Sequence, residues 1–256
     1  MTTELKVDVI IPNYNQTKLL LRAVNSALDQ GKIINKIIII DDGSDAETIE
    51  FLNSKFFRID KIQIIFSERQ VNPGAMRNIG LNNASSDWIA FLDADDYWEQ
   101  GKIQKQMNFA LENNFQVVCS NAHLDRNFAE INPIYHFKHE PKISTKTLLK
   151  ENIIINSTVL IKRNCFQKIG GYPSEHHLRG VEDYSSWLRI SVYFRIGFLN
   201  ETLANYQDSE NSFSKQQNQI LRDIAIYDFV FWSKTKASLF IRLYSKYYVC
   251  RVLGRA

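Results

Sequence analysis

Short apolar runs alternate with helix-spaced segments over the first half of the chain. Val7 to Ile11 reads as a buried strand closed by the turn Asn13-Tyr14-Asn15. Lys18 to Leu28 sets Leu20, Leu21, Val24, Ala27 and Leu28 at helical spacing, and Gly31 stops that helix. Lys36 to Ile40 is a β-branched run of the kind found in central parallel strands, which are covered on both faces. Ala46 to Asn53 predicts a helix, Lys61 to Phe66 a strand, Gly74 to Ala84 a helix opened by Pro73-Gly74, and Trp88 to Leu92 a fourth strand. This alternation predicts an open α/β sheet with right-handed crossovers. Residues 1–110 form the expected nucleotide-binding half of a domain spanning 1–205. In 111–205, Val117 to Ser120 and Ser157 to Ile161 read as strands and Tyr184 to Val192 as a helix. Residues 206–256 read as a helical, basic and aromatic extension. There is no internal repeat, low-complexity stretch or clear linker.

Composition narrows the class without naming it. The 256 residues are 45% hydrophobic and 23% charged, as expected of a globular protein. The net charge of +3 is too small to argue for nucleic acid, but it is unevenly spread. Lys215 to Ala256 holds eight Lys/Arg against two Asp, or +6, which leaves −3 for the rest. Such a tail suits phosphates or a membrane surface; it carries no recognisable nucleic-acid module, so no nucleic-acid partner is expected. Cys119, Cys165 and Cys250 are far apart and form neither a disulfide framework nor a thiolate zinc site. The N-terminus lacks the pattern of a secretory leader, and no window is long and apolar enough for a spanning helix. The expected location is the cytoplasm, with the inner face of the cell membrane as the place where the tail could hold the protein.

The candidate chemistry lies at the strand ends. In open α/β sheets, ligands bind outside the carboxyl ends of the strands. Here those ends carry Pro12-Asn13-Tyr14-Asn15, Asp41-Asp42 and Asp93-Ala94-Asp95-Asp96. So many acids around one crevice are costly unless a cation or hydrogen-bond donors offset them. Asp93 and Asp95 stand two apart, which in extended backbone puts them on one face. Two carboxylates with no His or Cys ligand nearby suit Mn²⁺ or Mg²⁺, with phosphate oxygens and water completing the shell. Asp41-Asp42-Gly43-Ser44 is equally a turn, with Ser44 or Asp45 capping the next helix. Asp96 is read as a cap for the helix after the acid run. Neither a GxGxxG turn nor a GxxxxGK[ST] loop is present, which excludes an NAD-type fold and a P-loop.

Five segments together resemble glycosyltransferase family 2, the inverting enzymes with the GT-A fold, over about residues 7–190. They are VIIPNYN, IIIIDDGSDAET, NPGAMRNIGL, WIAFLDADDYW and IGGYPSEHHLRGVEDYSSWLRI. The resemblance implies that Pro12, Asn13, Tyr14 and Asp42 line the base pocket, with Asp42 on the base. It implies that Arg77 reaches the nucleotide or its phosphates, Asp93 the ribose and Asp95 the metal. Ala94 and Glu182 complete the substrate-binding set, and Asp183 is the implied general base. Other readings stand beside these. Arg77 could be a solvated helix residue, and Glu182-Asp183 could favour a helix N-terminus through the dipole. His176-His177 fits a loop better than a metal site, and Trp98 and Trp187 suit a core as well as a sugar platform.

The implied reaction moves a sugar from a nucleoside-diphosphate sugar, UDP by family habit, to the hydroxyl of a saccharide or lipid-linked saccharide, as in surface polysaccharide or glycolipid synthesis. Tyr227, Phe229, Phe231, Trp232, Phe240 and Tyr244 interleave with Lys and Arg, the mix of an interfacial helix. Packing on the catalytic domain, or a homodimer contact, accounts for them equally well. Two rivals remain: a sugar nucleotidyltransferase, whose first strand should lead into a Gly-rich loop that Asn13-Tyr14-Asn15 does not supply, and a non-catalytic nucleotide-sugar-binding protein.

Overall fold

The computed structural model describes residues 5–69, 72–126, 130–207 and 218–236. Strands β1 (Val7–Asn13), β2 (Ile34–Asp42), β3 (Ile62–Ser67) and β4 (Trp88–Phe91) lie in the order β3-β2-β1-β4, all parallel. Their apolar residues alternate between two cores because successive side chains point to opposite faces. Ile10, Ile38, Ile40 and Phe91 face one core, whereas Val9, Ile11, Ile37, Ile39 and Ala90 face the other. Helix α1 (Lys18–Leu28) covers the second core with Leu20, Ala23, Val24 and Ala27.

Two further helices lie between these strands, α2 (Ala46–Phe56) and α3 (Pro73–Asn83). The α2 helix begins at Asp45, which accepts from the Thr48 amide, so Asp45 and not Ser44 is the cap. Asn72 caps α3, with Pro73 in its first turn. On the first core, α3 packs so closely on β1 that a Cβ at Gly80 would lie 2.5 Å from Ile10. Glycine is what permits that approach.

Beyond β4 the sheet turns mixed. It continues as β8 (Leu160–Lys162), β6 (Val117–Arg126), β9 (Ile196–Gln207) and β5 (Tyr97–Trp98), with β7 (Glu130–Pro133) on β6. The expected α/β sheet, mostly parallel and flanked by helices, is therefore parallel from β3 to β4, whereas β8 runs against both β4 and β6, and β5 runs against β9. Helices α4 (Lys102–Glu112), α5 (Thr145–Leu148), α6 (Arg163–Ile169) and α7 (Glu182–Ser191) complete this half.

Helix α8 (Asn218–Lys236) packs against α7. Ala225, Ile226, Phe229 and Trp232 are buried, and Arg189 of α7 holds both carboxylate oxygens of Asp228 at 2.7 and 2.9 Å. Of the aromatics expected at an interface, Phe229 and Trp232 belong to the core. Tyr227 and Phe231 are exposed, and Phe240 and Tyr244 lie outside the described residues. No helix among the described residues is long and apolar enough to cross a membrane.

Two local readings are corrected. Asp96 caps no helix: α4 starts six residues later, behind a left-handed Gly101, and Asp96 is buried with acceptor bonds from Ser157 and the Gln207 amide. Ser157 does not open a strand. It sits in a 3₁₀ turn, Asn156–Thr158, and β8 starts at Leu160.

Candidate active site

The parallel strands bring three polar segments to one edge of the sheet. Asn13 ends β1 beside Asp41 of β2, donating to its carboxylate at 3.1 Å, and Asp41 also takes the Ser44 amide and hydroxyl. Asp41 is thus the brace of this turn. The Arg69 guanidinium stands 3.6 Å from the Asp42 carboxylate and stacks over the Tyr14 ring at 3.1 Å from its centroid. Pro12 is half-buried, Asn13 and Asp42 are buried, and Tyr14 is exposed. Together they form a shelf with an aromatic lip, a carboxylate acceptor and a cation, suited to a planar, hydrogen-bonding ring.

The acid run follows β4. Asp93 is half-buried and accepts from Arg77 at 2.7 Å and from Asn156 at 3.2 Å. Ala94 is buried, and the Asp95 carbonyl accepts from Arg22 of α1 at 2.7 Å. Burial, and after it the Asp93 charge, pushes the Asp95 carboxyl up to about 6. Burial also drives Asp96 well above the ordinary carboxylate range, with Asp95 and Asp93 adding to the shift. Burial first, and mutual repulsion after it, therefore disfavour the charged forms of Asp95 and Asp96. Its donor set fits a hard cation: Asp93 and Asp95 offer oxygen only, and Mg²⁺ or Mn²⁺ takes one or two carboxylates where phosphate and water supply the rest. Among the described residues no group of three or more His, Cys, Asp or Glu could hold an ion on its own.

Arg77 joins this edge to the second half of the domain. It is only 4% exposed; one nitrogen bonds Asp93 and another bonds Glu182 at 2.8 Å. Burial opposes its charge, but the two carboxylates outweigh that and raise its pKa well above the ordinary arginine value. Arg77 is therefore neither solvated nor reaching out: it lies behind Asp93, with Tyr172 across its guanidinium at 5.4 Å. Glu182 also takes the Gly180 amide at 2.6 Å. Next to it Asp183 is half-buried in the first turn of α7. Burial first, then repulsion from Glu182, pushes its carboxyl up to about 7, the range that suits a general base. The Glu-Asp pair thus opens a helix, as its dipole favours, and Glu182 is tied to Asp93 through Arg77.

The other candidates fall elsewhere. His176 and His177 lie exposed on a 3₁₀ turn, and Trp98 and Trp187 are buried core residues. Several contributors carried no signal in the sequence: Arg22, Arg69, Asn156, Ser157, Tyr172 and Gln207. Tyr172 stood within the quoted IGGYP segment and Arg69 beside a strand end, which were the only clues to either.

An open sheet with acids at its strand ends, and a helix-borne acid tied to them from the second half, defines an α/β enzyme of the GT-A class. The family model of glycosyl transferase family 2 matches residues 8–170, and the chain belongs to that family; it is a glycosyltransferase. It is 31% identical over 217 residues to the putative teichuronic acid biosynthesis glycosyltransferase TuaG of Bacillus subtilis, covering 82% of each chain. It is 33% identical over 186 residues to the UDP-Glc:alpha-D-GlcNAc-diphosphoundecaprenol beta-1,3-glucosyltransferase WfaP of Escherichia coli, covering 72% of this chain and 69% of that one. In fold it is similar to S. aureus TarS 1-349 in complex with UDP-GlcNAc, with a TM-score of 0.75 at 16% identity over 98% of this chain and 72% of that one.

Proposed function

We propose that this glycosyltransferase moves a sugar from a UDP-sugar to the hydroxyl of a lipid-linked saccharide, with inversion, using Asp183 as base and Mn²⁺ or Mg²⁺ at Asp95. The observation that carries this reading is the double ion pair of Arg77, which ties Asp93 of the nucleotide edge to Glu182, the neighbour of Asp183. That link between Asp93 and Glu182 supports a single shared site for donor and base. The UDP in the WfaP name and in the TarS complex supports the donor, and the diphosphoundecaprenol in the WfaP name supports a lipid-linked acceptor in polysaccharide or glycolipid synthesis.

The shelf of Pro12, Asn13, Tyr14 and Asp42 would take the base of the donor, and Asp93 and Ala94 its ribose side. Asp95 would hold the cation, which as a Lewis acid offsets charge on the departing diphosphate. Asp183 would take the proton of the acceptor hydroxyl as it attacks the anomeric carbon from the face opposite the leaving group. A single displacement inverts that carbon, and a base so placed is worth about 10²–10⁴-fold. The exposed Tyr227 and Phe231 of α8 and the basic residues beyond it would hold the enzyme at the inner membrane face, where such acceptors are anchored. Membership of a glycosyl transferase family, whose members transfer sugars rather than nucleotides, argues against the nucleotidyltransferase alternative.

The test is transfer from UDP-glucose and UDP-GlcNAc to a short-chain polyprenyl diphosphate carrying GlcNAc, with the new linkage read by NMR. The reading expects a β-linked product from the α-linked donor, lost in Asp183→Asn while UDP binding persists. An α-linked product, or full transfer by Asp183→Asn, contradicts it; donor binding with no turnover on any acceptor favours the non-catalytic alternative.

A further inference from the structure

The acid run is gripped by a segment that follows it by some sixty residues. Because β8 runs antiparallel to β4, with Ala90 opposite Leu160, the turn Asn156–Thr158 falls beside Asp93. All three residues of that turn are buried, and Asn156 and Ser157 bond to the acid run directly. Asn156 donates to the Asp93 carboxylate at 3.2 Å and accepts from the Tyr172 hydroxyl at 3.0 Å. The Ser157 hydroxyl accepts from the Asp93 amide at 3.0 Å, so its own proton goes to Asp96. The Ser157 carbonyl takes the Trp98 indole at 2.7 Å, and the Thr158 carbonyl takes Gln106, which is bonded to the buried Lys102.

We infer that Asn156 and Ser157 are positioning residues that set Asp93 and Asp95 for the cation and diphosphate of the donor; this rests on the donor site proposed above. Neither needs to touch the donor. Ser157 fixes the backbone at Asp93 and the side chain of Asp96, so the intervening Asp95 is held at both ends of its turn. Asn156 donates to the same Asp93 carboxylate oxygen that Arg77 holds, so the two together fix that oxygen. Partners of this kind, behind the residues that meet a metal, change its affinity about 10–100-fold when removed.

The test is calorimetric titration of the full-length protein with UDP, with and without Mn²⁺, beside a thermal melt. The quantity read is the gain in UDP affinity that Mn²⁺ brings. Wild type with no such gain removes Asp95 as a cation ligand and is read before any variant. Given the gain, Ser157→Ala is expected to cut it about tenfold or more, Ser157→Thr to restore it, and metal-free UDP binding to change little. A Ser157→Ala protein that melts lower yet keeps the whole Mn²⁺ gain overturns the inference, since that is what a purely structural hydroxyl would do. Asn156→Ala, which leaves the Ser157 bonds in place, gives the same reading if Ser157→Ala does not fold: a reduced gain supports the positioning role and an unchanged gain refutes it.

Discussion

Removing the Arg77 guanidinium should do more damage than removing any acid it touches. Arg77 is buried between Asp93 and Glu182 at 2.7 and 2.8 Å, and Glu182 is as buried as the arginine. Arg77→Met keeps much of the apolar stem but leaves the Glu182 carboxylate enclosed with only the Gly180 amide. Breaking one side of a buried pair costs about 3–5 kcal/mol, because the remaining charge is stranded. A domain of this size loses roughly 2–4 °C of melting temperature per kcal/mol, so a fall of about 6–20 °C is expected. Arg77→Lys keeps the charge but lacks the fork that spans two carboxylates, and should fall between the two. Glu182→Gln added to Arg77→Met should recover part of the loss, since it removes the stranded charge. Arg77 also holds Asp183 down against burial and Glu182, so its loss moves that carboxyl further above about 7. Circular dichroism melts of the four proteins at neutral pH are the assay. An Arg77→Met protein melting within a degree or two of wild type, or a double variant no better than the single one, would refute the charge argument.

Other expectations follow from the same geometry. As the proposed base, Asp183 would work as a carboxylate, and its pKa is raised to about 7, so transfer should decline as pH falls through 7 and approach a tenfold loss per unit below it; a rate flat from pH 5 to 8 would dissociate Asp183 from the proton transfer. Asp228→Ala strands the buried Arg189 and should lower the melting temperature while making α8 more open to limited proteolysis; protection equal to wild type would mean that Phe229 and Trp232 hold the helix unaided. In flotation with anionic liposomes, full-length protein should float and a Tyr227→Ser/Phe231→Ser variant should float less; equal flotation would place membrane contact elsewhere than on this face of α8.

The parallel half of the fold was legible because its signals are local. Val7 to Ile11 and Lys36 to Ile40 are apolar without break, and the polar residues that follow fall at the sheet edge where ligands bind. Asp41-Asp42-Gly43-Ser44 could be read as a turn, and Asp41 is the acceptor that such a turn demands. What stayed hidden depends on distant pairing. Arg77 read as either exposed or ligand-directed; it is buried because Glu182 lies 105 residues further along the chain, a distance no helical period registers. Asn156 and Ser157 have no charge and follow an apolar run, so the short β8 looked longer and its turn went unseen. Asp96 read as a cap because acids often precede helices, whereas burial beside Ser157 gave it another task. The aromatics of α8 told of an apolar load without telling which faces bear it: Phe229 and Trp232 fill the α7 side, and Tyr227 and Phe231 face outward.

The central claim is that the acid run after β4 is the donor site of this glycosyltransferase. Its most direct test is equilibrium titration of UDP into wild type, Asp95→Ala and Asp183→Asn, each with and without Mn²⁺. The account predicts Mn²⁺-strengthened binding by wild type, its loss in Asp95→Ala, and its retention in Asp183→Asn. Wild type that binds neither UDP nor GDP nor TDP under any metal condition, or an Asp95→Ala protein that binds as wild type does, would contradict it.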